Sequence, residues 1–493
     1  VSDSRPDTPS SGPDDAAEAP TPSAVSTPTV FVLFGATGDL AARMVIPAFG
    51  ALAKQGLLPD NWRLIGNGRG HQTDDEFREH VKGVLDKAKT GLSGRQWRTF
   101  SASLRFAGGG FTEADPGDLA DVVAEAKDDL GSDDVQLVHY IALPPSTFES
   151  YTKALAAHGL ADRARVVYEK PFGTDSESFE RLDKLVLSIF PEERVFRIDH
   201  FLGKEATQQL HVLRFNNRMM EQVWNRYHVA AVQIDIPETL GVSNRAGFYD
   251  ETGATLDMLV THQLQVMAEV ALEPPVDSSP EALLEAREAV LKDFRPMSPD
   301  EAVLGQVEGY RDIDGVADDS QTDTFVAAKV WIDNDRWEGV PFLLRTGKQL
   351  KESHQHVTLV LRRPQTRGFG ERPPRPETIA FSLAGNGTVA ATVTAQRPGA
   401  PGDLVPGSLL LDLEDLPRAE PLPAYASLLR DVLAGDRALF TTATGLREAW
   451  RVAAPLLANR PPVQPYAPGS WGPEAAKEIA APHGWLAQHS LES

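Results

Sequence analysis

Between Arg197 and Lys204 the chain reads Arg-Ile-Asp-His-Phe-Leu-Gly-Lys, which sets an acid, an imidazole and an ammonium within six residues. An Asp–His pair can orient or activate an imidazole for proton transfer, and a lysine beside it can neutralise an anionic substrate. A second phrase, Glu169-Lys-Pro-Phe-Gly173, places a lysine and a proline at the C-terminal end of a predicted strand, the edge on which open α/β sheets bind ligands. Taken one at a time, such residues are more often structural: a histidine bonded to a carbonyl, a lysine on a solvated face.

A third segment, Gly35-Ala-Thr-Gly-Asp-Leu-Ala41, lies between a predicted strand, TVFVLF at 29–34, and a predicted helix with apolar positions at Leu40, Met44, Ala48 and Leu52. Glycines here let the backbone turn sharply and approach a pyrophosphate, while the helix start presents unpaired N–H groups to it. The spacing is G-x-x-G-x-x-A rather than G-x-G-x-x-G, and a plain turn with a glycine cap has the same letters. Its position favours nucleotide binding, with Gly35, Gly38 and Leu40 in the turn. The end of the second predicted strand reads Leu64-Ile-Gly-Asn-Gly-Arg69, with no carboxylate for a ribose 2′-hydroxyl. Arg69 suits a 2′-phosphate, and hence NADP, and reads equally well as a solvated arginine.

These segments need a frame that holds them. Further strands are predicted at 63–65, 135–143, 165–169 and 195–198, each separated by enough chain for a crossover, as in a parallel α/β sheet. Beyond about residue 200 the predicted strands (229–237, 324–333, 340–346, 357–363, 378–384, 388–397) point instead to a largely antiparallel sheet. Helices are predicted over 250–272, 281–292 and 423–434, and loops over 364–377 and 397–408. The expected organisation is a tail over 1–28, rich in Pro, Ser, Asp and Ala and too poor in large apolar residues to order itself, a dinucleotide-binding domain over 29–199, and an α+β domain over 200–493 for substrate and subunit contacts.

Composition narrows the function. The 493 residues carry 48 basic and 70 acidic side chains, a net charge of −22, and no cysteine. Thiolate metal sites, disulfides and a thiol nucleophile are excluded, and no nucleic-acid partner is expected, because so acidic a chain repels a phosphate backbone. No apolar run is long enough to span a membrane and no basic leader precedes an apolar segment, so the expected location is the cytoplasm. Among twelve histidines, the pair His354 and His356 suggests a metal. Alternation at a strand entrance explains the pair as well, and no metal is expected because no sequence neighbour completes a ligand set.

GATGDLA, EKPFG, RIDHFLGKE, ETLGV, AGFYDETGA, LDM followed by His262, RTGK and GSWGPEAA occur in this order from about residue 30 to about 475. Together they resemble the glucose-6-phosphate dehydrogenase family. The resemblance implies a Rossmann-like dinucleotide-binding domain followed by a larger α+β domain with an extended, mainly antiparallel sheet, assembled as a homodimer or homotetramer. It implies oxidation of D-glucose 6-phosphate to 6-phosphoglucono-1,5-lactone with NADP.

Residue by residue, the resemblance makes His262 the general base and Asp199 the carboxylate that orients it. His200 and Lys204 match phosphate-binding positions, while Glu238, Asp257 and Lys348 match positions near the sugar hydroxyls. Lys170 lies close to both ligands, and Pro171 matches a cis proline between them. Thr37, Asp39 and Arg69 match coenzyme contacts. Four residues depart from the family pattern: Met44 for lysine, Phe201 for tyrosine, Thr261 for asparagine and Ser353 for lysine or arginine. Lys351 stands two residues before Ser353 and is expected to reach the same space. The lost donors leave two alternatives: the same mechanism on another sugar or sugar phosphate, or a non-catalytic NADP(H)-binding interaction protein.

Overall fold

The computed structural model describes residues 27–486, apart from 133, 243–245, 365–375, 386 and 418–419. The expected loop at 364–377 and the expected tail at 1–28 therefore lie almost wholly outside the described residues.

Two sheets carry the molecule. The first contains β1 (Thr29–Phe34), β2 (Trp62–Asn67), β3 (Leu104–Ala107), β4 (Gln136–Ile141), β5 (Arg165–Tyr168) and β6 (Val195–Ile198). With the edge strand β15 (Phe440–Thr441) its order is β15-β6-β5-β4-β1-β2-β3, with β1 to β6 parallel. All six residues of β1 are buried, because helices cover both faces, and this explains its unbroken apolar run. The edge strand β15 (Phe440–Thr441) comes from the far end of the chain and pairs antiparallel with β6. The helix Ala424–Ala434 accompanies it and packs on the helix Ile46–Gln55. Arg165 ties that helix down by donating to the carbonyls of Val432 and Leu433 at 2.8 and 2.7 Å.

The second sheet holds β7 (Val229–Pro237), β8 (Ala302–Val307), β9 (Phe325–Val330), β10 (Phe342–Gly347), β11 (His356–Leu361), β12 (Thr378–Ser382), β13 (Thr388–Gln396), β14 (Leu404–Asp412) and β16 (Gln464–Tyr466). The order is β14-β13-β12-β11-β7-β10-β9-β8-β16, antiparallel except for β10 with β7 and β16 with β8. The loop expected at 397–408 is corrected: from Leu404 onward the chain forms β14. An edge strand can hold Pro406 because the missing N–H need not face a partner.

The helix expected over 250–272 is three pieces. The stretch Ala246–Ala254 breaks at Gly253, whose φ of 64° is left-handed and whose position beside Asp323 would bring a Cβ to 2.5 Å from that carboxylate. Asp323 then accepts the backbone N–H and hydroxyl of Thr255 at 2.8 and 2.6 Å and starts the next piece. That piece, Thr255–Gln263, is a π-helix, and Leu264–Ala271 continues as an α-helix.

Candidate active site

Gly35 leaves β1 with φ 72°, and a Cβ there would lie 2.7 Å from the carbonyl oxygen of Ala142, so only glycine closes this turn. The Gly38 N–H donates back to Gly35 at 2.8 Å. Thr37, Gly38 and Asp39 are exposed and Leu40 is half-buried. Asp39 pairs with Arg43 across one turn at 3.2 Å. The expected apolar face is partly corrected: Ala48 and Leu52 are buried, whereas Leu40 and Met44 are only half-buried, because the helix opens with a wide π turn over Ala41–Val45. Arg69 is exposed just beyond β2, and the register of Phe34 with Asn67 puts it on the same sheet edge as the glycine turn.

A solvent-open cleft of about 1790 Å³ runs from this turn to the second sheet. Gly35, Gly38, Asp39 and Leu40 line one end, and Lys170, His200, Glu238, Asp257 and Lys348 line the other. The parallel pairing that ends at Gly347 and Pro237 delivers Lys348 and Glu238 side by side, and their side chains form an ion pair. Lys170 follows β5 and is joined to Pro171 by a cis peptide bond. Its ammonium donates to the carbonyl and the carboxylate of Asp257, both at 3.1 Å. Burial pushes the Asp257 carboxyl up, but Lys170 and Lys348 more than offset it and hold it at about 2.

Asp199 ends β6, and its Oδ1 accepts the Phe201 N–H at 2.8 Å and meets His262 Nδ1 at 2.6 Å. The two side chains are sealed from solvent at 3 % and 1 % exposure. Burial raises Asp199 to about 6, and burial, reinforced by Lys170, lowers His262 well below the usual imidazole range. At pH 7 the pair is therefore a carboxylate and a neutral imidazole. Its acceptor oxygen assigns the proton to Nδ1, which leaves the Nε2 lone pair free of any partner among the described residues.

The π-helix matters here. Its i to i+5 repeat sets Asp257 and His262, five residues apart, on one face of the helix. Thr261 donates its hydroxyl to the Asp257 carbonyl at 2.6 Å, and with Lys170 on the same oxygen that carbonyl is taken by side chains.

The other departures differ in effect. Phe201 is buried and packs on the His200 and His262 rings at 4.8 and 4.9 Å. Lys204 lies 3.9 Å from the Phe201 ring centre and bonds to Gln355; burial lowers its ammonium to about 8. Met44 lines the cleft as an apolar wall. Ser353 accepts the Thr239 N–H at 2.7 Å on an exposed loop. Lys351, like Ser353, is exposed and not part of the cleft wall, and its backbone N–H donates to the Ser470 carbonyl at 2.9 Å.

His200, half-buried, sits edge-on to His262 with ring centres 4.6 Å apart, and burial lowers its imidazole well below the usual range. Asp199 and His262 themselves line a second, apolar cavity that shares only Lys170 and Asp257 with the cleft. Asp199, His200 and His262 bring ligand-type atoms within 4.8 Å of one another, but Oδ1 and Nδ1 of that set are already bonded to each other. His354 and His356 stack at 4.6 Å, and His354 meets Asp235 at 3.0 Å. A carboxylate is therefore at hand after all, but Arg345 occupies it through both oxygens.

Sequence reasoning missed Gln355, Arg43 and the support beneath Lys170. Glu169 is buried between two phenols, accepting from Tyr140 at 2.5 Å and Tyr425 at 3.3 Å. The phrase EKPFG did include Glu169, but its partners come from β4 and from a helix more than 250 residues away, which no local pattern reveals.

A glycine turn at the carboxyl edge of a parallel sheet, opening on a cleft walled at its far end by Lys170, His200, Glu238, Asp257 and Lys348, defines a two-domain protein of the dinucleotide-binding class. The NAD binding domain of glucose-6-phosphate dehydrogenase matches residues 32–209, and the C-terminal domain of the same enzyme matches residues 211–487. Glucose-6-phosphate 1-dehydrogenase 6, cytoplasmic, of Arabidopsis thaliana is 34% identical over 473 residues, covering 93% of this chain and 92% of its own. Glucose-6-phosphate 1-dehydrogenase 1 of Mycobacterium tuberculosis is 34% identical, covering 92% and 96%. A solved glucose-6-phosphate dehydrogenase in complex with glucose-6-phosphate superposes with a TM-score of 0.87 at 30% identity, covering 94% of this chain and 99% of that one. The chain belongs to the glucose-6-phosphate dehydrogenase family.

Proposed function

We propose that the protein oxidises D-glucose 6-phosphate to 6-phosphoglucono-1,5-lactone with NADP, the first step of the oxidative pentose phosphate pathway. The observation that carries this reading is the 2.6 Å contact of His262 Nδ1 with Asp199 Oδ1, which leaves Nε2 without a partner among the described residues and able to accept a proton. His262 takes the proton of the C1 hydroxyl as the C1–H bond breaks, and the electron pair of the O–H bond becomes the second bond of the lactone carbonyl. Asp199 stabilises the imidazolium that forms. Bound NADP supplies the hydride acceptor. The left-handed Gly35 turn, with no room for a Cβ, fits a coenzyme pyrophosphate, and Thr37, Gly38, Asp39, Leu40 and Arg69 surround it on the same edge.

His200 and Lys204 hold the 6-phosphate, with Gln355 orienting Lys204. Glu238, Asp257 and Lys348 take the sugar hydroxyls, and Lys170 with Pro171 separates sugar from coenzyme. The rings of His200 and Phe201 pack on His262 from the cleft side, so the sugar reaches Nε2 by displacing the His200 ring. Residues 29–199 serve the coenzyme and 200–493 the substrate and subunit contacts.

Leu409, Leu410 and Leu411 are exposed along the edge strand β14, and a homodimer or homotetramer built through that sheet would cover them. No helix among the described residues is long and apolar enough to cross a membrane. The name of the Arabidopsis relative places that protein in the cytoplasm, and we extend the location to this one.

A second reading, the same chemistry on a different sugar or sugar phosphate, is favoured by the apolar Met44 and Phe201 where donors would meet a phosphate. Reduction of NADP and of NAD by the purified protein, followed with a panel of sugars with and without a 6-phosphate, decides. Turnover confined to glucose 6-phosphate supports the first reading, and turnover confined to another sugar supports the second. NADP(H) binding without turnover of any sugar overturns both and leaves an interaction protein.

A further inference from the structure

Lys348, the ammonium that shares the cleft wall with Glu238, follows β10 in a turn the chain does not adopt freely. The next residue, Gln349, has φ 51°, a left-handed conformation rare for any residue but glycine. Lys348 itself is held at both backbone groups. Its N–H donates to the Thr324 carbonyl at 2.8 Å, and its carbonyl accepts the Tyr466 hydroxyl at 2.7 Å. The phenol's other carbonyl acceptor, that of Thr324, lies farther away at 3.2 Å. Thr324 Oγ1 accepts the Val307 N–H at 2.8 Å and meets the Tyr466 oxygen at 2.8 Å. Each hydroxyl has one proton to give, so the bonds run one way, from Val307 through Thr324 and Tyr466 to Lys348. The segment that brings Tyr466 adds two more clamps: the Gly469 N–H donates to the Gln349 carbonyl at 2.8 Å, and the Ser470 carbonyl accepts the Lys351 N–H. A left-handed residue with a side chain persists where its surroundings over-determine it, and the Tyr466 bond falls on the very peptide that joins Lys348 to Gln349.

We propose that Tyr466 is a positioning residue for the sugar site: its hydroxyl fixes the Lys348–Gln349 peptide, keeps Gln349 left-handed and so aims the Lys348 ammonium beside Glu238. The consequence for sugar binding rests on reading Lys348 as a sugar contact; the hold on the turn does not. Without the phenol the Lys348 carbonyl is released, the peptide plane turns as Gln349 returns to negative φ, and the ammonium leaves the place where it meets Glu238. Lys348 binds the sugar and moves no proton, so the loss falls on affinity rather than on the chemical step. Tyr466 is buried and stands outside the cleft wall, so β16 serves the sugar site without lining it.

Tyr466→Phe removes the hydroxyl and keeps the ring. Amide hydrogen exchange on the full-length protein is expected to speed up about tenfold across residues 348–351 and to stay as it was across residues 255–263. KM for glucose 6-phosphate is expected to rise about five- to tenfold, with kcat and the coenzyme KM held within about twofold. Gln349→Gly makes the left-handed turn free of strain, so adding Tyr466→Phe to it is expected to raise KM by less than about twofold. A phenol that only filled the core would not be rescued in this way. Gln349→Val opposes the same turn from its other end, and with Tyr466 in place it is expected to raise KM about tenfold at unchanged kcat. Should Tyr466→Phe fail to fold, Gln349→Val carries the test.

Unchanged exchange across 348–351 in Tyr466→Phe, equal losses in kcat and both KM values, an unchanged KM in Gln349→Val, or a rise in the double variant as large as in the single one would each overturn the brace. Lys348→Met separates the two failures. A raised KM there beside an unchanged one in Tyr466→Phe removes the brace alone, whereas an unchanged KM in Lys348→Met removes Lys348 from the sugar site and leaves the exchange result standing.

Discussion

Asp199 and His262 are sealed, bonded at 2.6 Å and anchored on a strand end and a helix face, whereas Lys204 reaches the same neighbourhood on a long side chain held by one amide and one ring face. The proton pair is fixed by backbone: the Phe201 N–H, the end of β6 and the π-helix all dictate its geometry. The proposed anion end, His200 and Lys204, depends on side chains, with the apolar Met44 in the same cleft wall. Chemistry that tolerates little displacement is thus built on rigid elements, and binding that tolerates more is left to flexible ones.

The contrast can be broken most strongly at its rigid side. His262→Asn keeps the volume and removes the base, and kcat is expected to fall by about 10³-fold with KM for the sugar phosphate changed by less than about threefold, read by steady-state kinetics. At the flexible side, Lys204→Ala removes a charge-assisted donor to the phosphate. KM is expected to rise about ten- to a hundredfold with a smaller loss in kcat.

The two sides should also separate on the pH axis. Asp199 is raised to about 6, so kcat/KM falls as pH drops through that value and the pair gains a proton; the limb belongs to the pair rather than to one residue. Lys204 is lowered to about 8, so kcat/KM falls again as pH rises through that value and the ammonium is lost. Lys204→Arg, which stays charged, is expected to erase the alkaline limb and leave the acid one. The smallest expected effect is Phe201→Tyr: a phenol placed beside His200 and Lys204 lowers KM by about two- to fivefold if it reaches the phosphate, with kcat unchanged.

The parts legible in the sequence were those whose cause is local. The buried run TVFVLF forms β1 at the expected residues, β7 spans Val229–Pro237 as expected, and the helix Pro280–Lys292 falls where a helix over 281–292 is expected. β3 and β15 are too short to show a period, and β14 hides behind its proline. The π-helix left no mark on the pattern, since its apolar positions do not separate an i+5 from an i+4 repeat over nine residues. The phrase RIDHFLGK announced chemistry by itself. Pairing its Asp199 with His262, 63 residues on, required the family resemblance, because no spacing rule reaches across two sheets.

The late return of the chain to the first sheet has a consequence for how the protein is made. Phe440 packs against Phe196 with ring centres 4.9 Å apart, and Tyr425 completes the bonds of Glu169 beside Lys170. During synthesis the amino-terminal half leaves the ribosome first, with an uncovered strand edge and an apolar flank, and waits for more than 200 residues before its missing pieces arrive. Half-finished chains are therefore the sticky species, and a fragment cut after β6 inherits the same exposed flank for good.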